Sequence, residues 1–491
     1  PAGPGRPAHD AGLMRPTDAA YEAVLAGARP LARVAAAVAG GDVRKGVQGR
    51  VETLRRFEEW GAARRREDRP LVWFHAPSVG EGLMAQAVIA ALRERDPGVQ
   101  VAFTHFSTSG ERVAARVGAD VAGYMPWDTR GPVRRALRSL RPTSLAFVRT
   151  EIWPVAVREA RAMGARVTLV NAVLGEGSGR LRWPARPFLS RWYARLDAVG
   201  AVSGDHAARF RSLGVPEARL HVTGDARFDQ VLARIEARRL SAYRAALAGG
   251  RDGAGDGARD GARDGAGGGG GGGSADPALA REAAAQLPEA LGALFARLWT
   301  DRPFTLVAGS TWPADEAVLV PAIASLLRSA PGSLRVIIAP HQPDEAHLSG
   351  LEARLSEHRI TSARLGTLLE GGSLDAVVVD RVGVLADLYA LADAAYVGGG
   401  FGSAGLHSVV EPAGLGVPVL YGPAHGNALE AAELAEAGGG FVVADGDAVR
   451  EMLRRLIRSP DARTRAGAAA GSFVRAGRGA AARNAALVLE S

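Results

Sequence analysis

The stretch Leu71-Val-Trp-Phe-His-Ala-Pro-Ser-Val-Gly-Glu-Gly82 decides how the chain is read. Residues 71–74 are four consecutive apolar side chains and predict a buried strand. Residues 75–80 read as a turn, with Pro77 and Gly80 as its breakers. From Leu83 the apolar residues Met84, Val88, Ala91 and Leu92 recur at helical spacing. Glu81 therefore sits where a strand hands over to a helix, the edge at which open α/β sheets bind ligands. Two roles fit it. Ser78 to Glu81 matches a capping box, with Ser78 as N-cap and Glu81 reaching back; the alternative is a carboxylate that faces a ligand crevice.

Outward from this stretch the same alternation repeats. Strands are expected at 99–106, 121–125, 144–148, 166–171, 198–202 and 220–222, each pair separated by a helical or turn segment. A second series follows, with strands at 304–307, 335–339, 376–379, 394–397, 417–421 and 440–443. Repeated βα units of this length predict parallel, doubly wound sheets. The fold class is α/β, with two Rossmann-like halves facing across a cleft large enough for a ligand. The expected organisation is a helical, basic segment over 1–69, a first Rossmann-like domain over 70–229, a linker over 230–303, a second such domain over 304–477 and a helix over 478–491 that folds back on the first domain. Residues 1–17 are rich in Pro and Gly and are expected to be disordered. The linker carries Gly-Ala-Arg-Asp-Gly repeats and seven consecutive glycines within 249–274, where no core can form, and then a short helix over 277–298. That insertion is expected to be dispensable.

The chain has 491 residues, room for two or three domains with full cores. Its 47% hydrophobic and 23% charged residues are those of a soluble globular protein. There is no cysteine, which excludes disulfides, Cys-ligated zinc and cysteine catalysis. The net charge is +8, with Arg far outnumbering Lys. Nucleic acid, an anionic membrane surface and a phosphorylated substrate each fit that balance; no zinc-finger spacing, basic zipper or RNA-binding aromatic motif supports the first. The most apolar stretch, residues 19–39, is broken by Glu22, Arg29, Pro30 and Arg33, so no transmembrane helix or signal peptide is predicted. Arg50, Arg55, Arg56, Arg64, Arg65 and Arg66 form either a solvated helix face or a contact for phosphates and anionic headgroups.

Several strand ends carry polar groups suited to chemistry. Gly398-Gly-Gly-Phe-Gly-Ser-Ala-Gly405 lies between a strand and an expected helix over 407–415, where glycines let backbone amides approach a phosphate. It does not match a dinucleotide fingerprint. Glu411 on that helix is placed to accept the hydroxyls of a ribose. Ser310 and Thr311 end another strand and offer hydroxyls to the same crevice, or serve as plain caps. His341 follows a strand and can donate to a phosphate. Glu151 follows the fourth strand as Glu81 follows the first, and paired acids suit general-base work on a hydroxyl nucleophile. Its other reading is a cap for the helix that Pro154 begins.

Taken together the motifs resemble those of the 3-deoxy-D-manno-octulosonic acid (Kdo) transferases of lipid A assembly, which are GT-B glycosyltransferases. The residues that carry the resemblance are His75-Ala-Pro-Ser-Val-Gly-Glu81, Thr104-His-Phe-Ser-Thr-Ser-Gly110, Met125-Pro-Trp-Asp128, Thr150-Glu-Ile-Trp-Pro154 and Gly224-Asp-Ala-Arg-Phe-Asp229, then Ala308-Gly-Ser-Thr311, Tyr389-Ala-Leu-Ala-Asp393 with Val397-Gly-Gly-Gly400, and His407 to Pro412 with Gly422-Pro423 and Asn427. They lie in order over roughly residues 70–440. The resemblance implies inverting transfer of Kdo from CMP-Kdo to a lipid A precursor (lipid IVA), with Glu81 as general base and Glu151 also required. On the acceptor side it implies Ser78, Gly80, Thr108, Ser109 and Asp128. For the CMP-sugar it implies Ser310, Thr311, Pro340, His341, Gly399, Gly400, His407, Asn427 and Glu411. It implies no cofactor and no catalytic metal, no nucleic acid, and a peripheral place on the cytoplasmic face of the inner membrane, reached through the basic N-terminal region. The chain departs from the family pattern in three places: Pro340-His341 stands where many members have Pro-Arg-His, Gly224-Asp-Ala-Arg-Phe-Asp229 where they have Gly-Asn-x-Lys-Phe-Asp, and Asn171-Ala-Val-Leu-Gly175 where they have Asn-Ala-Arg-Leu-Ser. Two other classes remain: a GT-B transferase or epimerase using another nucleotide sugar such as UDP-N-acetylglucosamine, and a non-enzymatic basic protein that binds membrane or nucleic acid. Donor screening separates the first, and salt-sensitive binding without turnover marks the second.

Overall fold

The computed structural model describes residues 16–38, 41–249, 303–367 and 374–490. The expectations for the N-terminal tail up to residue 15, for the glycine-rich insertion beyond residue 249 and for the helix over 277–298 lie outside the described residues. The chain divides into two compact units, one holding the described residues up to Gln230 together with those from Gly477, the other running from Val231 to Ala476.

The first unit opens with two helices, α1 (Pro16–Val38) and α2 (Asp42–Arg64), before β1 (Leu71–His75). The unit then alternates through α3 (Val79–Arg95), β2 (Gln100–His105), α4 (Glu111–Ala114), β3 (Val121–Tyr124), α5 (Arg130–Leu140), β4 (Ser144–Val148), α6 (Pro154–Ala162) and β5 (Arg166–Ala172). It continues with α7 (Ala185–Tyr193), β6 (Ala198–Ala201), α8 (Gly204–Ser212), β7 (Leu220–Val222) and the start of α9 (Ala226–Gly249). The seven strands form one parallel sheet in the order β3-β2-β1-β4-β5-β6-β7. All five side chains of β1 are buried, as a strand covered on both faces requires. The order reverses between β1 and β4, which pair directly, so the carboxyl ends of these two strands define the crevice of the sheet.

α2 belongs to this unit's core. Phe57 and Trp60 are buried, and Phe57 meets Trp73 of β1 edge-on at 6.1 Å. Arg50 is buried and Arg65 half-buried against the fold, whereas Arg55, Arg56, Arg64 and Arg66 are exposed, as the solvated helix face expected for them requires. Arg50 is buried, with its guanidinium over the rings of Phe106, Trp127 and Tyr124 at 4.7, 5.1 and 5.6 Å. Arg56 donates to the carbonyl of Ala122, Arg65 to those of Leu140 and Arg69, and Arg55 pairs with Glu59. A helix of residues Ala480–Leu489 closes the unit from the far end of the chain; it packs on α3, β5 and β6 and buries Ala481, Ala485 and Val488.

The second unit is a parallel sheet of seven strands as well: β8 (Phe304–Thr311), β9 (Leu334–Pro340), β10 (Ser362–Arg364), β11 (Ala376–Val378), β12 (Ala394–Val397), β13 (Val419–Tyr421) and β14 (Gly440–Val442), in the order β10-β11-β9-β8-β12-β13-β14. Here the reversal falls between β8 and β12. The edge strand β10 is a strand that the sequence pattern does not announce. β8 extends four residues beyond the expected 304–307, so Ser310 and Thr311 are still in the strand. The helix expected over 407–415 shrinks to Val410–Gly414.

Candidate functional site

In the first unit Glu81 and Glu151 leave from the carboxyl ends of neighbouring strands. Ser78 caps α3, and its N–H and hydroxyl both donate to Oε2 of Glu81, at 2.9 and 2.6 Å. The capping box is therefore real. It uses one carboxylate oxygen and leaves Oε1 without a hydrogen bond among the described residues, on a half-buried side chain. The two roles expected as alternatives for Glu81 are compatible.

Glu151 is held differently. The cap of α6 is supplied by Asp128, whose carboxylate accepts from the N–H groups of Val155 and Ala156 at 3.1 and 2.8 Å. Glu151 is thus relieved of the capping role. Arg149, two residues earlier, has φ 77, a left-handed conformation that costs a non-glycine residue of order 1–3 kcal/mol and is retained where the surroundings enforce it. Thr150 is tied on both sides: its hydroxyl donates to the carbonyl of Val173 at 2.6 Å, and its own carbonyl accepts from the hydroxyl of Tyr193. The peptide that carries Glu151 is fixed before any ligand arrives. Burial raises the Glu151 carboxyl above the usual range, and the charge of Glu81 raises it further, while Arg180 opposes both. The two carboxylates therefore sense one another across the sheet's switch point.

The other acceptor-side expectations divide. Ser78, Gly80 and Ser109 are exposed and Thr108 is half-buried; Ser78 and Gly80 lie at the start of α3, after β1, and Thr108 and Ser109 in a short 3-10 turn after β2. Asp128 is not available to a ligand, a correction to its expected acceptor-side role. It is fully buried, caps α6 and accepts from the Tyr21 hydroxyl of α1 at 3.0 Å. Burial raises its carboxyl to about 6 against the opposing pull of those hydrogen bonds. Asp225 is likewise internal, bound to Arg227 at 2.5 Å and to the Arg227 N–H at 2.8 Å. Arg149, Arg180 and Tyr193 are neighbours of Glu151 that sequence reasoning missed, since none stands in a motif whose spacing announces it.

In the second unit two amides of the glycine-rich segment are already engaged within the fold. Asp315, fully buried, accepts from the Gly399 N–H at 2.8 Å, from the Phe401 N–H at 3.3 Å and from the Tyr396 hydroxyl at 2.7 Å. Gly399 has φ +96, and a Cβ there would lie 2.0 Å from the carbonyl oxygen of Gly405. At Gly400 a Cβ would lie 2.5 Å from the Gly422 nitrogen. These glycines are required for backbone-on-backbone packing, and the amide of Gly399 is already taken. Asn427 reinforces the same fold of the loop: its Oδ1 accepts from the Leu406 N–H and its Nδ2 donates to the Leu406 carbonyl, both at 2.9 Å.

Thr311 is also corrected. Its hydroxyl points inward and donates to the buried Glu316 at 2.8 Å, so it offers nothing to a crevice. Ser310 sits beside it with φ 53. Pro340 is buried at the end of β9, and His341 follows it, exposed. His341 stacks on Trp312 at 4.9 Å and lies 4.3 Å from His407. Glu411 is half-buried and paired with Arg234 at 3.1 Å. Ser310, His341, His407 and Glu411 thus remain as ligand-facing candidates of this unit, with Gly399, Gly400 and Asn427 shaping the loop between them.

The family described as 3-Deoxy-D-manno-octulosonic-acid transferase (kdotransferase) matches residues 53–230. A 3-deoxy-D-manno-octulosonic acid transferase of Bordetella pertussis is 29% identical over 417 residues, covering 82% of this chain and 80% of the relative. Those of Chlamydophila psittaci and Haemophilus influenzae are 25% and 23% identical, covering 72% and 83% of this chain and 70% and 84% of the relatives. Over most of its length the chain is thus similar to Kdo transferases. The protein is a glycosyltransferase, and its two doubly wound units have a GT-B architecture. Solved structures agree on the fold. A UDP-GlcNAc 2-epimerase from Neisseria meningitidis superposes with a TM-score of 0.54 at 13% identity, covering 83% of this chain and 98% of that one. A glycosyltransferase from Rickettsia africae gives 0.53 at 10% identity, covering 85% and 96%.

Proposed function

We propose that the enzyme transfers Kdo from CMP-Kdo to a hydroxyl of a lipid A precursor, lipid IVA, with inversion at the anomeric carbon. The observation that carries this reading is the pair Glu81 and Glu151, which leave adjacent strands at the switch point with one oxygen of Glu81 unengaged. In this reading Oε1 of Glu81 takes the proton of the attacking hydroxyl. Glu151 orients the acceptor and raises the basicity of the site by its charge. Ser310, His341 and His407 face the departing phosphate, and Glu411 exchanges Arg234 for the ribose hydroxyls.

The enzyme works at the cytoplasmic face of the inner membrane. Among the described residues no helix is long and apolar enough to cross a membrane. What supports a peripheral contact is α1 rather than the arginines expected to provide it. Val24, Leu31 and Val34 share one side of this helix and are 70%, 70% and 64% exposed. The opposite side is tied down by Glu22 to Arg158 and by Asp18 to Arg191, each at 2.5 Å.

The test is a turnover assay with CMP-Kdo generated in place and tetraacylated lipid A precursor, run with wild type and Glu81→Gln. Kdo-bearing product from wild type alone supports the reading. Turnover of UDP-N-acetylglucosamine instead, or equal rates in both proteins, overturns it.

A further inference from the structure

Three aromatic side chains meet at the carboxyl edge of the second sheet. Trp312 follows β8, His341 follows β9, and His407 comes from the segment after β12; β8 lies between the other two strands. The His341 and His407 rings are 4.3 Å apart, and His341 stacks on the indole at 4.9 Å with 26° between the planes. Two imidazoles this close cannot both be charged without strong repulsion.

The hydrogen bonds decide which of them can take a proton. The Trp312 indole N–H donates to Nε2 of His407 at 3.2 Å. An indole N–H has no acceptor capacity, so Nε2 must be the unprotonated nitrogen and the ring's hydrogen sits on Nδ1. A second proton would have to enter at Nε2, against the indole N–H. His407 is held neutral. Burial lowers its pKa, the His341 charge lowers it again, and only Asp315 pulls the other way.

His341 is free of that lock. It is exposed, and neither ring nitrogen has a hydrogen-bond partner among the described residues. Partial burial, and then the neighbouring His347, hold its pKa below the usual histidine value. His347 is itself engaged with the buried Glu316 at 3.0 Å. In the free protein near neutral pH, His341 is mostly uncharged. An anion placed against it raises its pKa by about 1–3 units, through the physiological range.

We propose that the His341–His407 stack is a proton-linked clamp for the nucleotide phosphate, which binds with uptake of one proton onto His341. The neutral rings of His407 and Trp312 form the floor on which the imidazolium rests, a cation over aromatic faces. The inference rests on the reading of this unit as the CMP-sugar side.

The experiment is calorimetric titration of CMP into the full chain at pH 7.5, in buffers of different ionisation enthalpy. At that pH the CMP phosphate is already a dianion, since its second pKa is about 6. Wild type is expected to take up close to one proton per CMP bound, and its affinity should fall up to about tenfold per pH unit between pH 6.5 and 8. Cytidine should bind without proton uptake. His341→Gln should bind CMP more weakly, with no uptake and a flat pH dependence. His341→Arg should recover affinity through a permanent charge, again with no uptake, which shows that the Gln variant did not fail merely by misfolding. CMP binding without proton uptake in wild type, or with the same uptake in His341→Gln, overturns the clamp while leaving the donor reading intact. Absence of any CMP binding overturns the donor reading and the clamp with it.

Discussion

Glu81 closes a capping box and, in the proposed reaction, is also the base; a substitution can separate the two. Glutamine keeps an oxygen for the Ser78 N–H and loses the base. Glu81→Gln should therefore fold as wild type and lose about 10²–10⁴-fold in kcat, read in the turnover assay against an unchanged melting temperature. Glu151 offers an independent check on the same pair. Its carboxyl lies above the usual range partly because Glu81 is charged. In Glu81→Gln that repulsion is gone, so the Glu151 titration followed by carboxyl NMR should move down towards the ordinary glutamate value. An unchanged Glu151 titration would show that the two carboxylates do not interact. Both glutamates are legible in the sequence because each follows an apolar run and precedes a helix. Asp128 looks the same at that level, a carboxylate after Met-Pro-Trp, and only burial reveals that it faces the core. Thr311 misleads for the same reason: a hydroxyl at a strand end reads alike whether it points outward or into the unit.

At the scale of elements, the turn that carries Glu151 is only as rigid as α6, and α6 depends on Asp128. Asp128→Ala should cost about 1–3 kcal/mol, since two helix N–H groups and the Tyr21 hydroxyl lose their acceptor. It should also lower kcat more than it changes KM. The pH dependence has a definite sign. A carboxyl at about 6 when folded, against 3.8 in the open chain, favours the folded state at low pH, and that contribution is lost as pH rises through about 6. Wild type should thus gain less stability between pH 5 and 7 than Asp128→Asn, measured by thermal unfolding at both. The glycine-rich loop makes a sharper prediction. Gly399→Ala sets a methyl 2.0 Å from a carbonyl oxygen at φ +96, so the loop must open. CMP binding should be lost while the first unit's melting is untouched. Thirteen of the fourteen strands can be read from apolar runs and breakers; β10, Ser362-Ala-Arg364, is short and polar at a sheet edge and gives no such run.

For the molecule as a whole, the two units are not two consecutive lengths of chain. The first unit is discontinuous: it needs Gly477 onwards as well as the residues up to Gln230. Asn484 makes this concrete. Its Oδ1 accepts from the Asn171 N–H of β5 at 3.1 Å and the Thr223 hydroxyl at 3.2 Å, in a fully buried position. Truncation after residue 477 should therefore destabilise the unit that holds Glu81 and Glu151, although both lie hundreds of residues away; limited proteolysis would show it opening first. α1 gives the other prediction at this scale. Replacing Val24, Leu31 and Val34 together by serine should abolish co-sedimentation with vesicles of anionic phospholipid and leave turnover of a detergent-dispersed acceptor intact. The arginine-rich segment conceals this in the sequence, because its charges suggest the headgroup contact that is proposed for the apolar side of α1.

The late return of the chain also sets an order of events during synthesis. A ribosome has delivered the whole of the second unit before it reaches Ala480, and domains fold as they emerge. The sheet bearing the two glutamates must wait, with the surfaces of β5, β6 and α3 that the helix Ala480–Leu489 will cover still exposed to water. The second unit is complete first, and the sheet that carries Glu81 and Glu151 is covered only once Ala480–Leu489 has been made, so a chain released before that point holds a finished second sheet and an unfinished first one.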